Sequence, residues 1–394
     1  MKILLLTGSM DVSAGGPPRV VAGSAIGLAS QGHEVKIASL ASLAAPEEKI
    51  LEDFSGLATP NISLHVYPAS LPHQLGRSAM MQRDLPHMLD GCSAVHVHGV
   101  WEQCLADVAR AATKLGIPVF VSAHGMLDPW SMRQSRWKKV IALRLLGTGK
   151  MLRSAKAIIY GTQDERQDCA SVLPGSASAI VPNGIALESL SLDQLPDDTD
   201  LLRRFPQLAD WQTTILFFSR IHPKKGVNLL IDAFLACAPE APGAGLLIAG
   251  IAQDAEFETL LRRKISDSSY ADRIIFTTDL SGEEARVVFR QSEIFALPSH
   301  QEGFSMAILE AMALEKPLLI TDRCHLPDVS GSWACGVVVK DDIAGITEGL
   351  RELLAKTPDA LNCMGQNGRR VVEQNFSWDA VARKLGRLYR GEMS

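Results

Sequence analysis

Twelve short apolar runs, each followed by a segment of helix length, constrain this chain more than any other feature of its sequence. Six fall in the first half, at 2–7, 33–40, 93–99, 118–125, 155–162 and 178–184. Six fall in the second, at 213–220, 243–250, 273–279, 293–299, 317–322 and 336–340. Most close on Gly, Ser, Thr, Asn or Asp. Continuous apolar strands alternating with helices argue for parallel sheets covered on both faces. Two such series predict two doubly wound α/β domains.

The segment 187–211, rich in Asp, Pro and Leu, separates the two series. The expected domains are 1–190 and 191–374. The closing stretch from 375 has a capping Ser377, a first-turn Asp379 and amphipathic spacing, so it reads as a terminal helix. The first run, "KILLLT", is too short for a signal-peptide core or a membrane span and reads as a buried strand. Hydrophobic residues make up 46% and charged residues 21% of the 394, which is too apolar for disorder. The formal charge of −5 argues against nucleic acid as the main partner. Seven scattered cysteines with no C-x-x-C pair indicate neither a disulfide framework nor a zinc site, so a reducing, cytoplasmic compartment is expected.

In open parallel sheets ligands sit beyond the carboxyl ends of the strands, and two domains with facing strand ends would enclose an interdomain cleft. The residues just after the strands are therefore the informative ones. In "SHQEGFSMAILEA" (299–311) a loop runs into a helix, and Gly303 allows close backbone approach. The N–H groups from Phe304 through Ser305 to Met306 would favour an anion. Glu302 precedes that helix, where it can equally serve as a capping acid. Glu310 lies further in, among apolar neighbours, where a carboxylate is costly unless hydrogen-bonded. It suits either a buried salt bridge or a pair of vicinal hydroxyls such as a ribose offers.

The stretch "SRIHPKKG" (219–226) puts Arg220 at a strand end and Lys225 at a helix start. This pair could neutralise a pyrophosphate, or simply form a basic loop in water. After the first strand, Gly15-Gly16 permits close contact but makes no dinucleotide fingerprint. "LGTGKM" (146–151) lacks the residues of a phosphate loop. His124 ends another strand beside Gly125, in a position that alone is as readily structural as functional. His96 and His98 point to one face of their strand and read as strand-end packing, since no third metal ligand suggests itself.

Together these motifs resemble family 4 of the retaining glycosyltransferases, which have the two-Rossmann GT-B architecture. The resemblance rests on Gly15-Gly16, His124-Gly125, "VPNGI" (181–185), "SRIHPKKG" and the E-x7-E of Glu302 and Glu310. These occur in the family's order along nearly the whole chain. Ser305 stands where one common form of the pattern has a second Gly.

The resemblance implies a nucleotide-diphosphate sugar as donor substrate, bound mainly by the second domain, and no cofactor. Arg220 and Lys225 would hold the diphosphate with help from the N–H groups near 303–306, and Glu310 would take the ribose hydroxyls. Glu302 would bind or orient the donor sugar. His124 would contact that sugar from the other domain, with Gly16 against the diphosphate or sugar. The terminal helix 375–394 would pack back on the first domain. Retention of anomeric configuration is implied, and metal independence is expected on the reading that the chain offers no D-x-D. The expected function is transfer of a sugar to a glycan or lipid-linked acceptor, in polysaccharide or surface-glycan assembly.

A sugar-nucleotide epimerase of the same architecture and a non-catalytic nucleotide-sugar-binding protein are the rivals. A glycoside hydrolase fits less well, because its two acids need no Arg220/Lys225 pair. Finally, 130–156 carries eight Lys or Arg and no acid, interleaved with Trp130, Trp137, Val140, Ile141 and Leu143. Such a helix suits an anionic membrane surface, or a solvated helix whose apolar face covers the sheet.

Overall fold

The computed structural model describes the chain apart from residues 13–15, 43–44, 135, 171, 174, 188–189, 191–194, 196–198, 281–283, 303 and 394. It divides into two compact units: Met1–Gly184 with Phe376–Ser394, and Ile185–Asn375. The unit boundaries thus fall after Gly184 and Asn375, where the sequence placed them at 190/191 and 374/375.

The first unit holds a seven-stranded sheet of β1 (Lys2–Thr7), β2 (Glu34–Ala41), β3 (Ile62–Pro68), β4 (Ala94–His98), β5 (Val119–Ser122), β6 (Ala157–Tyr160) and β7 (Ser178–Ile180). Its order is β3-β2-β1-β4-β5-β6-β7, and every pairing is parallel. The second unit holds β8 (Thr213–Phe218), β9 (Ala244–Ala249), β10 (Ile274–Thr277), β11 (Ile294–Leu297), β12 (Leu318–Thr321) and β13 (Gly336–Val339). Their order, β10-β9-β8-β11-β12-β13, is also all parallel. Each sheet reverses direction of growth once, between β1 and β4 and between β8 and β11. At that reversal the helices leave to opposite faces and open a crevice at the carboxyl edge.

The apolar runs become strands because both faces are covered. Ile3, Leu4, Leu5 and Leu6 of β1 have no solvent exposure, nor do Ile294 to Leu297 of β11. All twelve runs contain a strand. The sequence reading missed β3, an edge strand whose exposure alternates with pockets of burial along "ISLHVYP".

The helix Trp378–Tyr389 is capped by Ser377, whose Oγ accepts from Ala380 N at 3.3 Å. It packs on the helix Gly16–Ser30 of the same unit. A Cβ at Gly23 would lie 1.9 Å from the Trp378 ring, so only glycine admits this crossing. Val381, Ala382, Leu385 and Tyr389 then join Ile3, Leu5 and Phe120 in one core.

Candidate functional site

In the second unit the chain leaves β8 through Ser219 and Arg220 into a tight turn, Pro223–Lys225. The His222 side chain caps that turn, its Nδ1 accepting from Lys224 N at 3.1 Å. Gly226 follows with φ +69°, and a Cβ there would lie 1.9 Å from Pro298 O. The turn is thereby pressed against the loop that follows β11, and His300 N donates to Lys224 O at 2.9 Å.

That contact brings Lys225 and Glu302 together. Lys225 Nζ donates to Glu302 Oε1 at 2.5 Å, Ser299 Oγ donates to the same oxygen at 2.7 Å, and both charged side chains are about one-tenth exposed. Burial alone would raise the Glu302 carboxyl. The charge and hydrogen bond of Lys225, with Ser299, outweigh it and hold the group below its ordinary value. Glu302 is therefore a carboxylate at neutral pH. Lys225 has three donors and spends one here, which leaves N–H groups for a ligand. Beside them, Gln301 has a buried Oε1 with no hydrogen-bond partner among the described residues. The Cys324 thiol is pushed up to about 12 by burial and by Glu302, so it is no nucleophile.

Arg220 is exposed and donates to Gln253 Oε1 at 3.2 Å. Ser305 is buried and precedes the helix Met306–Ala313 without a side-chain cap. Phe304 and Met306 are half-buried, as is Glu310, the fifth residue of that helix. Gly303 and Gly15 lie outside the described residues. Gly16 is the first residue of its helix and is half-buried. Against the expectation that the chain has no D-x-D, the sequence contains one, Asp198-Thr199-Asp200. Asp198 lies outside the described residues, and Asp200 sits at the start of the helix Thr199–Arg204, exposed and paired with Arg203 at 2.7 Å.

In the first unit His124 follows β5 with φ +51°, in the left-handed region that non-glycine residues rarely enter. The surroundings hold it there. Glu165, buried, accepts from Gly125 N at 3.0 Å and from Gly161 N at 2.7 Å, tying the ends of β5 and β6 together. Ser131 Oγ donates to Gly125 O at 2.9 Å and to Asp128 at 3.1 Å. His98 Nδ1 lies 3.0 Å from His124 Nε2. His96 is bonded to Tyr389 Oη at 2.7 Å and to Ser122 Oγ at 2.9 Å. Burial lowers all three imidazoles, His96 to about 3 and His124 to about 4, so they are neutral at physiological pH. Glu102, wedged beside Gly8 and Gly76, is pushed up by the same burial.

Sequence reasoning singled out Lys225 and Glu302 without seeing that they pair. It did not single out Ser299, Glu102 or Glu165. The one available signal for Glu165 was Thr162-x-x-Glu165, a capping box, and Thr162 Oγ1 does accept from Glu165 N at 3.0 Å.

Two family descriptions match this chain: "Glycosyltransferase Family 4" over residues 14–189 and "Glycosyl transferases group 1" over 198–390. Among curated relatives, the lipopolysaccharide core biosynthesis mannosyltransferase LpsB of Rhizobium meliloti is 27% identical over 58% of this chain and 67% of its own. A GDP-mannose-dependent alpha-(1-6)-phosphatidylinositol monomannoside mannosyltransferase of Mycobacterium tuberculosis is 25% identical over 75% of this chain and 76% of its own. Among solved structures, HepE of Anabaena in complex with UDP and glucose superposes with a TM-score of 0.76 at 18% identity, covering 99% of this chain and 100% of that one. Sucrose-phosphate synthase of Thermosynechococcus elongatus gives 0.72 at 19% identity over 100% and 99%.

Proposed function

The chain belongs to glycosyltransferase family 4, and we propose that it transfers a sugar from a nucleotide diphosphate with retention of configuration and without a metal ion. The observation that carries this reading is the Lys225–Glu302–Ser299 cluster at the carboxyl edge of the second sheet, on loops leaving the two strands that flank its reversal point. Breaking a sugar–phosphate bond builds negative charge on the leaving diphosphate. Fixed positive groups act where that charge grows, and each is worth about 2.7–4 kcal/mol by analogy with an oxyanion-hole donor. Lys225, held in place by Glu302, is preorganised for this work, and Arg220 adds a second cation from the same loop. Glu310 takes the ribose hydroxyls and His124 a hydroxyl of the donor sugar.

Relatives that use GDP-mannose, and a structural neighbour that binds UDP and glucose, define the first donors to try. Incubation with GDP-mannose or UDP-glucose in EDTA, with lipid-extract and oligosaccharide acceptors, should yield an α-linked product. Transfer abolished by EDTA and restored by a divalent ion would remove metal independence. Conversion of the donor to an epimer with no transfer would favour the epimerase instead.

A second reading concerns where the acceptor lies. On the helix Arg136–Leu145, Trp137, Ile141 and Leu145 recur every four residues and are 66%, 40% and 77% exposed. Leu143 packs instead on the core that includes Val95, Val119 and Val121 of the sheet, and Ala142 is buried. Lys138, Arg144, Lys150, Arg153 and Lys156 are exposed along the same stretch. An exposed apolar stripe among cations supports peripheral contact with an anionic membrane on its cytoplasmic face, and hence a lipid-linked acceptor. Among the described residues no helix is long and apolar enough to cross a membrane.

A further inference from the structure

Of the three neutral imidazoles at the edge of the first sheet, the buried His98 has a role that neither packing nor the proposed reaction requires in itself. Its ring and that of His124 are inclined by only 14°, with centroids 5.2 Å apart. That separation is close to the 3.0 Å between His98 Nδ1 and His124 Nε2 plus the two nitrogen-to-centroid radii. The rings therefore meet edge to edge, nearly coplanar, with one nitrogen of each facing the other. Such a bond contains one proton, and it has two possible owners.

The far side of His98 decides between them. His98 Nε2 is buried and has no hydrogen-bond partner among the described residues. If His124 Nε2 carried the shared proton, His98 would accept it at Nδ1 and hold its own proton at Nε2, leaving a buried N–H donor unpaired. Orphaned buried N–H groups are rarer than under-used acceptors. With the proton on His98 Nδ1 the bare Nε2 is only an unused acceptor. His124 Nε2 then accepts, and the neutral His124 ring must carry its proton on Nδ1.

The geometry points to His98 as a positioning residue that fixes His124 in its Nδ1–H tautomer, so that His124 presents an N–H donor to a ligand oxygen. The inference builds on the reading of His124 as a donor-sugar contact. Supporting elements are already in place. His124 Nδ1 also has no hydrogen-bond partner among the described residues, but His124 is half-buried and its Nδ1, unlike His98 Nε2, is not sealed from solvent, so an N–H there is met by water or a ligand and is not orphaned. The His124 backbone is braced through Gly125 and Glu165. His98 in turn leans on His96, 4.0 Å away between centroids, and His96 is anchored to Tyr389 of the terminal helix. In this arrangement His124 donates a hydrogen bond to a sugar hydroxyl and takes no proton from it.

Two-bond proton–nitrogen spectra of the full chain labelled with 15N-histidine test this directly, the His124 signals being assigned from a His124→Gln sample. The wild type should show the Nδ1–H pattern for His124. His98→Asn, whose amide N–H can occupy the place of Nδ1–H, should preserve it, whereas His98→Phe should give a mixture of tautomers. With whichever of GDP-mannose and UDP-glucose the wild type consumes, His98→Phe should lower kcat by on the order of tenfold or more at little-changed KM, and His98→Asn by less than about threefold. An Nε2–H pattern in the wild type overturns the assignment, as does an equal loss of turnover in both variants at unchanged Tm. If His98→Phe does not fold, the wild-type and His98→Asn spectra still decide. Should the Nδ1–H pattern be found while His124→Ala turns over normally, the sugar contact fails and the tautomer assignment stands.

Discussion

At the carboxyl edge of the first sheet three neutral imidazoles, His96, His98 and His124, lie beside the buried Glu165 carboxyl, which is taken up by backbone N–H groups. At the corresponding edge of the second sheet stands a buried ion pair, Lys225 and Glu302. Strand order and strand direction are alike in the two units. The fold therefore leaves open which chemistry its edge carries, and the residues after the strands choose it. Neutral donors and acceptors suit a sugar hydroxyl, which brings no charge. Fixed cations suit a diphosphate, which brings two or more.

The sharpest way to break this contrast is to remove half of the ion pair. Lys225→Ala leaves the Glu302 carboxylate buried with the Ser299 hydroxyl as its remaining side-chain donor among the described residues, and should destabilise the second unit by about 3–5 kcal/mol. Lys225→Met combined with Glu302→Leu removes both charges and should recover most of that stability while leaving transfer abolished. Chemical denaturation of the three proteins checks the first statement and a transfer assay the second. A double variant as unstable as the single one would mean that packing, and not charge, is what the pair supplies.

Acid should separate the units next. The three histidines titrate near 6.5 when unfolded and lower when folded, His96 at about 3 and His124 at about 4. Between those values the unfolded chain binds more protons, so their stabilisation falls as pH drops from about 6.5 toward about 4. Glu302 works in a different window: its folded value lies below 4.5, so its contribution holds above 4.5 and is lost only below. His222 of the second unit is lowered too, by partial burial and nearby cations, and Glu102 of the first is raised, which opposes the histidine trend near 4.5. Hydrogen exchange followed peptide by peptide from pH 7 to 5 should show the first sheet losing protection ahead of the second. Equal loss in both would sink the distinction.

How much of this was legible in the sequence follows from burial. Strands covered on both faces read as unbroken apolar runs, which is why β1 and β11 announce themselves. The edge strand β3 has a half-wet face, so Ser63 and His65 interrupt its run and hide it. Residues that act through the local chain were also visible. Ser377 reads as a cap from its four-residue pattern, whereas the Thr162–Glu165 box has the same form and went unread. What the sequence could not carry is a contact set by register between strands. His98 faces Ser122 across β4 and β5, and His124 lies two residues beyond, yet nothing in "VHVHG" says so. Likewise the local pattern around Glu165 offers only a cap, while its carboxylate serves Gly125, 40 residues away in sequence.

A smaller effect probes the donor side of the comparison alone. Glu310 is half-buried in the helix after β11. Glu310→Ala should weaken UDP or GDP, whichever binds, by about 1.5–3 kcal/mol in calorimetry, the worth of hydrogen bonds to a charged group. The same change should leave the acid response of the first unit untouched. Equal binding by the variant would make Glu310 structural, and the ribose contact would have to be sought from Arg220 outward.

The smallest effect concerns surfaces, where the units differ again. Among the described residues of the second unit the exposed large apolar residues are Ile251, in the loop after β9, Leu260 on the helix Ala255–Ser266 and Ile343 on the helix Ile343–Leu354. In the first, Trp137, Ile141 and Leu145 share one helix with exposed cations. Each Lys or Arg near an anionic membrane is worth about 1 kcal/mol, and the attraction dies within a Debye length of about 8 Å at physiological salt. Lys138→Gln with Arg144→Gln should therefore weaken sedimentation with phosphatidylserine-containing vesicles by about tenfold or more, with no change in Tm. High salt should do the same to the wild type. Trp137→Ser should weaken binding at any salt, because its contribution is apolar. Binding that ignores salt, charge and Trp137 alike would assign the stripe to another partner and leave the acceptor's location open to the first sheet's edge alone.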